Sequence, residues 1–234
     1  MTKLIKKIIR NTTFRIRYPN VFHFNFGDNV TFFSQAGQDI IIANILFENH
    51  FSGNKVFLDI GCNHPKIGSN SFFFDKHLGF KTIAVDPISK YCRLWKKQRS
   101  DAEYINKALG KESGKGFIYI PKKDDMSFTC RKQKSFPNYK KKKIEYDTVS
   151  NICAKRNIKE VAVCSIDVEG NELNVLKGIN FEKVSFGVFA VENNSELLGG
   201  NTGIRKYLSE KGFTFFARVG NLDDIFVSRN LIKR

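Results

Sequence analysis

The chain has 234 residues, 41 % of them hydrophobic and 23 of them Phe, which suits one α/β domain with a sizeable core. Its five cysteines (Cys62, Cys92, Cys130, Cys153 and Cys164) form no C-x-x-C pair, which argues against a disulfide framework or a zinc site and for a reducing compartment. A net charge of +16 raises nucleic acid, anionic membrane or a charged substrate as partner, while no apolar run reaches membrane-span length and no signal-peptide segment is visible; the expectation is a cytoplasmic protein, with peripheral contact to an anionic membrane surface as an option.

Residues 1–30 read as a basic arm. In KLIKKIIR, Leu4, Ile5, Ile8 and Ile9 share one helical face and Lys3, Lys6, Lys7 and Arg10 surround it, as in a helix that lies on a membrane surface or docks on the domain. Residues 31–234 are expected to form a single domain with a basic insertion at about 111–143. SQAGQD at 34–39 leads into an apolar helix from Ile40 to Phe47, and either Ser34 or Asp39 is placed to cap it.

The organising stretch comes next. A strand at Val56-Phe57-Leu58 runs into Asp59 and a turn at Gly61; a second, Thr82 to Val85, ends in Asp86-Pro87, 27 residues after Asp59. In an open parallel sheet, ligands gather at the carboxyl ends of strands where strand order reverses, and a carboxylate there can accept both hydroxyls of a ribose. A dinucleotide site wants G-x-G-x-x-G so that a pyrophosphate can lie on bare backbone. Here the turn is Gly61-Cys62-Asn63-His64-Pro65, with the next glycine at Gly68, so side chains crowd that space. Adenosine without a pyrophosphate fits better, and S-adenosylmethionine is the common ligand of that kind.

Ser69-Asn70 opens a helix to about Leu78, stopped by Gly79, and a helix follows from Ser89 to about Gln98. A strand at Glu103 to Ile105 ends in the turn Asn106-Lys107-Ala108. Residues 114–121 alternate as a hairpin arm, and the run Lys140 to Lys143 reads as a solvated loop. A strand from Ile144 to Val149 precedes a helix from Asn151 to Arg156, with Ser150 as its cap. The apolar run Val161 to Ile166 is patterned as a buried parallel strand and ends in Asp167-Val168-Glu169-Gly170-Asn171-Glu172. Val188 to Val191 ends in Glu192-Asn193. A helix from Thr202 to Glu210 and two antiparallel strands, Phe213 to Val219 and Ile225 to Ser228, close the chain. The fold class is α/β, a class I methyltransferase-like Rossmann sheet that is mostly parallel and ends in an antiparallel hairpin.

SQAGQD at 34–39, FLDIGCNHP at 57–65, SN at 69–70, VDP at 85–87, NKALG at 106–110, IDVEGNE at 166–172, VEN at 191–193 and DDIFV at 223–227 occur in that order. As an ordered set spanning about 34–228, they resemble the FkbM family of S-adenosylmethionine-dependent methyltransferases. The resemblance implies O-methylation of a hydroxyl on a sugar, a glycan or a polyketide-like product. In one respect the chain departs from it: the family often carries Lys two residues before the Asp of DVEG, where this chain has Ser165. The residues expected to hold the cofactor are Asp59, Gly61, Asn63, Ser69, Asn70, Asp86, Asn106, Ala108 and Asp167.

Methyl transfer is an in-line displacement, so the protein mainly aligns donor and acceptor, and a positioned base adds roughly 10²- to 10⁴-fold. His64, Glu169 and Asp167 are the catalytic candidates, with His64 and Glu169 foremost as base. A metal-assisted variant would draw on Asp167, Glu192 and Asn193, oxygen ligands suited to Mg²⁺ or Mn²⁺, and is not the expected case. An RNA methyltransferase using the basic segment is the alternative, although no RNA-binding module is recognisable. A non-catalytic binding protein on the same scaffold stands third.

Overall fold

The computed structural model describes residues 32–121, 128–130, 139–193, 203–220 and 222–232; for 128–130 the description is of the backbone alone. The basic helix expected at 3–10 lies outside them. Seven strands form the main sheet: β1 (Val56–Ile60), β2 (Lys81–Val85), β3 (Glu103–Ile105), β8 (Glu160–Ile166), β9 (Ser185–Glu192), β10 (Phe213–Val219) and β11 (Asp223–Ser228). Their order is β3-β2-β1-β8-β9-β11-β10. All pairings are parallel except those of β11, which runs against both β9 and β10. This is the class I methyltransferase arrangement, as expected from the sequence. Strand order reverses between β1 and β8, and that switch point positions the site.

Helices cover both faces. On one side lie α1 (Gln38–Glu48), α2 (Phe72–Leu78) and α3 (Ser89–Gln98). Ile42, Phe73 and Phe74 pack there on Phe57, Val163, Val188 and Ala190, while Trp95 and Tyr91 cover Ala84. On the other side, α4 (Val149–Ala154), α5 (Glu172–Lys177) and α6 (Gly203–Glu210) bring Ile152, Val175 and Leu208 onto Leu58, Ile83, Ile166 and Phe189. Alternation along the strands divides the apolar residues between the two layers, and each fully buried Phe or Leu contributes roughly 1.5–3 kcal/mol. A last turn of helix, α7 (Arg229–Ile232), which the sequence reading did not anticipate, buries Leu231 in the first layer.

A second sheet, β4 (Ala108–Leu109), β7 (Tyr139–Asp147), β5 (Gly114–Pro121) and β6 (Phe128–Cys130) in the order β4-β7-β5-β6, is inserted between β3 and α4. Several local expectations change here. Lys140 to Lys143 are not in a loop: they lie on β7, paired antiparallel with Ile120 to Phe117 of β5. The strand expected from Ile144 therefore starts five residues earlier and ends at Asp147. Ala108 forms a short strand beside β7 rather than a turn. The cap of α4 is Thr148, whose side chain accepts from Asn151 N at 3.1 Å, while Ser150 Oγ donates to Gly178 O. At α1 the N-cap position is held by Gly37 in the left-handed region, φ 91°. Ser34 Oγ accepts from Gly37 N and Asp39 N, and the Asp39 carboxylate takes Phe33 N, Ser34 N and the Ser34 hydroxyl. The two cap candidates thus fold 33–39 onto itself.

Candidate active site

The site is a cleft at the carboxyl ends of β1, β2 and β8. Its wall includes Asp59, Gly61, Asn63, Ser69, Asn70, Asp86, Lys107, Ala108, Ser165, Asp167, Glu169 and Asp223, with Gln35 and Gln38 of the 34–39 segment and Ile118 of β5. The enclosed volume is about 120 Å³. Small-molecule sites usually offer about 300–1,000 Å³, so a nucleoside-sized ligand fills this cleft only with its outer part in solvent or with the segment around exposed Ile67 displaced.

Gly61 is required by the chain itself. At φ +78°, a Cβ there would lie 1.6 Å from the Asp167 carbonyl oxygen. The close approach is between β1 and β8, since Asp167 N donates to Ile60 O at 2.9 Å and Gly61 N to Val85 O at 2.8 Å. Gly61 therefore knits the three strand ends together, which differs from leaving bare backbone for a ligand.

The two acidic strand ends are held rigidly. Asp86 accepts from Ile88 N through Oδ1 at 2.7 Å and from Asn63 N through Oδ2 at 3.1 Å, while buried Trp95 ties the same turn by donating to Asn63 O. Burial outweighs these bonds and pushes the Asp86 carboxyl up to about 6. Asp59 accepts from Ser71 Oγ at 2.5 Å; burial raises its pKa as well. Behind them stands Arg99, which sequence reasoning missed. It pairs with Asp75, donates to Pro65 O, Ser69 Oγ, Ser71 Oγ and Thr82 Oγ1, and lies over the Trp95 ring. A lone Arg at a helix end carries no sequence signal for such a role.

The opposite wall is a group of carboxylates. Ligand oxygens of Asp167, Glu169 and Glu192 lie within 4.8 Å of one another. Burial, then Glu192 and Asp223, raise Asp167 well above the usual range. Glu192 is pushed up to about 7 by burial and by Glu169, and Glu169 is raised by burial and Glu172. Glu169 sits at φ 59°, in a loop fixed by Glu172, whose Oε1 accepts from Val168 N and Gly170 N. Asp223, at the start of β11, accepts from Gln38 Nε2 at 2.6 Å and is raised to about 6, first by burial. The DDIFV and SQAGQD motifs contain both residues, yet sequence alone did not bring them together.

Three expected residues point elsewhere. His64 does not line the cleft: its Nδ1 accepts from Lys66 N and Ile67 N at 3.1 and 3.0 Å, so the lone pair a base would use is engaged in the 64–67 turn. Asn106 lies outside the cleft as well and donates from Nδ2 to the Asp86 carbonyl, supporting that strand end from behind. Asn193 donates to Asp224 Oδ2 on the far side of β11, so the oxygen set able to hold a divalent metal is Asp167, Glu169 and Glu192. Ser69 and Asn70 do line the cleft. Asn70 Nδ2 donates to Ser165 Oγ at 2.9 Å, while its buried Oδ1 has no partner.

The Methyltransferase FkbM domain profile matches residues 59–215, which takes in both acidic strand ends, the carboxylate wall and the inserted sheet. No curated protein is significantly similar to the chain. Among solved structures, one from Plasmodium falciparum, provisionally described as a ribosomal RNA methyltransferase, matches 84 % of this chain and 97 % of its own at 14 % identity, with a TM-score of 0.41. No helix of the described residues is long and apolar enough to cross a membrane.

Proposed function

The chain belongs to the FkbM methyltransferase domain family, and from that premise we propose that it methylates a hydroxyl of a sugar or glycan with S-adenosylmethionine as donor. The observation that carries the donor assignment is the charge of the cleft. Asp59, Asp86, Asp167, Glu169 and Asp223 line it, and among the described residues the one cation on its wall, Lys107, is drawn to Glu145 and Asp147 at 3.2 and 3.6 Å. A pyrophosphate would meet uncompensated carboxylates there, whereas a ligand carrying an ammonium and a sulfonium is favoured by them. The orphaned Asn70 Oδ1 offers one more acceptor. Fit is therefore good in donor set.

In this reading Asp86, held by two backbone N–H groups, accepts the ribose hydroxyls, and Asp59, fixed through Ser71 and Arg99, supports the other strand end. When bound, S-adenosylmethionine supplies an electrophilic methyl on a sulfonium. Glu169 would take the proton of the acceptor hydroxyl as that hydroxyl oxygen accepts the methyl group, the donor leaving as the neutral thioether. A raised carboxyl pKa suits that role, because the base then approaches the operating pH. Asp167 and Glu192, both raised and hydrogen-bonded to each other, share a proton and so keep about one negative charge beside the reacting centre. The test is methyl transfer, by mass, to sugars, nucleotide sugars and RNA. A 14 Da gain on a sugar hydroxyl supports the reading; methylated RNA with unmodified sugars favours the alternative.

A further inference from the structure

The second sheet carries a feature that methyl transfer does not use. Lys115, Lys142, Lys143 and Glu145, together with Phe117, Asn106, Pro87 and Ser89, line a groove of about 580 Å³ between that sheet and the end of β2. That volume falls within the range of small-molecule sites. Pro87 lines both this groove and the donor cleft, so the two adjoin at that residue.

Register decides how charge is laid out. Lys142 stands directly opposite Ile118, and Lys143 opposite Phe117. Residues directly opposite in an antiparallel pair share a face. Successive side chains alternate between faces, so Lys142 projects on the face of Ile118, whereas Lys143 shares the other face with Phe117, Lys115 and Glu145, all four of which line the groove. Lys115 stands opposite Glu145, which also receives Lys107, so the one carboxylate of the groove among the described residues is already balanced. All four lysines from Lys140 to Lys143 are exposed, and adjacent like charges on a strand weaken it. Lys115 and Lys143 are diagonal neighbours on that face, about 7–8 Å apart, the span of a phosphoryl or diphosphoryl group.

We propose that this groove is the acceptor's anchoring site, in which Lys115 and Lys143 receive a phosphoryl group of the substrate while its hydroxyl reaches the donor cleft past Pro87. The substrate class is then a phosphorylated or nucleotide-activated sugar. The inference rests on the methyl-transfer reading above. Edge protection alone would also place lysines here, since β4 covers only Tyr146 and Asp147 of β7; that role needs no ligand, and the experiment separates the two.

Inorganic pyrophosphate is titrated into the full chain at low and at physiological salt, and S-adenosylhomocysteine is titrated in parallel. The expected result is salt-sensitive pyrophosphate binding that K115E/K143E weakens at least tenfold and K115R/K143R retains, with S-adenosylhomocysteine affinity within twofold throughout. Pyrophosphate that fails to bind, that binds the Glu variant equally or that displaces S-adenosylhomocysteine would overturn the inference. So would a single-stranded RNA or a phosphatidylserine vesicle whose binding the Glu variant abolishes while pyrophosphate binding is untouched. Wild-type chain that does not bind S-adenosylhomocysteine would overturn the methyl-transfer reading, and this inference with it.

Discussion

Asp223 and Asp224 are neighbours on β11, both buried, and they live in opposite electrostatic worlds. Asp224 receives Arg205 through two bonds of 2.7 and 2.9 Å, Arg218 at 3.2 Å and Asn193 at 2.9 Å. Asp223, turned to the cleft, has Gln38 as its bonding partner and faces Asp167 and Glu192. The same division runs through the molecule. Asp75 and Asp147, which support the fold, are each matched by Arg or Lys, whereas among the described residues Asp86, Asp167 and Glu169 of the cleft have no cation in bonding contact. Buried negative charge left unbalanced costs stability, and its concentration along one sheet edge marks where a cationic ligand belongs.

The largest effect expected from this contrast lies on the structural side. Asp224→Ala removes the buried carboxylate shared by Arg218, Arg205 and Asn193; because the Arg205 side chain is 44 % exposed and can be re-solvated, the loss should be about 2–3 kcal/mol, below that of a fully buried pair. Asp223→Asn, which removes an unbalanced charge and keeps a hydrogen-bond acceptor for Gln38, should leave stability unchanged or raised. Urea denaturation of the two variants compares them directly, and equal losses would erase the distinction between the two faces of β11.

On the catalytic side, Glu169→Gln should lower kcat by about 10²-fold or more while donor affinity stays put. If activity is instead lost in EDTA and restored by Mg²⁺ or Mn²⁺, the three-carboxylate group is acting through a metal, and Asp167→Asn should abolish the rescue.

A smaller effect has opposite signs for stability and binding. Asp86 and Asp223 at about 6 and Glu192 at about 7 bind protons more tightly folded than unfolded. The folded state gains on acidification through that window, so stability should rise as pH falls from about 7.5 to 5.5, and fall again as pH climbs back through 6 to 7. His77, lowered by burial, opposes this weakly. Donor affinity should move the other way, approaching a tenfold loss per unit below about pH 6, as Asp86 loses its charge. Melting temperature and affinity measured across pH check both; a parallel trend in the two would contradict the account.

The sequence carried the main sheet well because its signals are local. β3, α3 and β10 begin and end where the apolar pattern and the stop residues place them, and the family resemblance was borne out over 59–215 by the family match. The inserted sheet was harder. A run of four lysines has no alternation to read, and β7 becomes a strand only because β5 lies beside it. Site residues divide in the same manner. Asp59, Asp86, Asp167 and Glu169 were legible as acids at strand ends. His64, Asn106 and Asn193 occupy similar positions in sequence, but their side chains turn to backbone or to Asp224, a choice made by tertiary contacts. Arg99 and the Gln38–Asp223 bond join residues distant in the chain and left no local trace.

The central claim is that the cleft selects a nucleoside bearing positive charge over one bearing pyrophosphate. Calorimetric titration of S-adenosylmethionine and of NAD into the wild-type chain and Asp86→Ala tests it most directly. The account predicts S-adenosylmethionine binding, no measurable NAD binding, and a loss of about 1.5–3 kcal/mol in the variant, the scale of hydrogen bonds to a charged group. NAD bound in preference, or S-adenosylmethionine bound equally by wild type and Asp86→Ala, would contradict it.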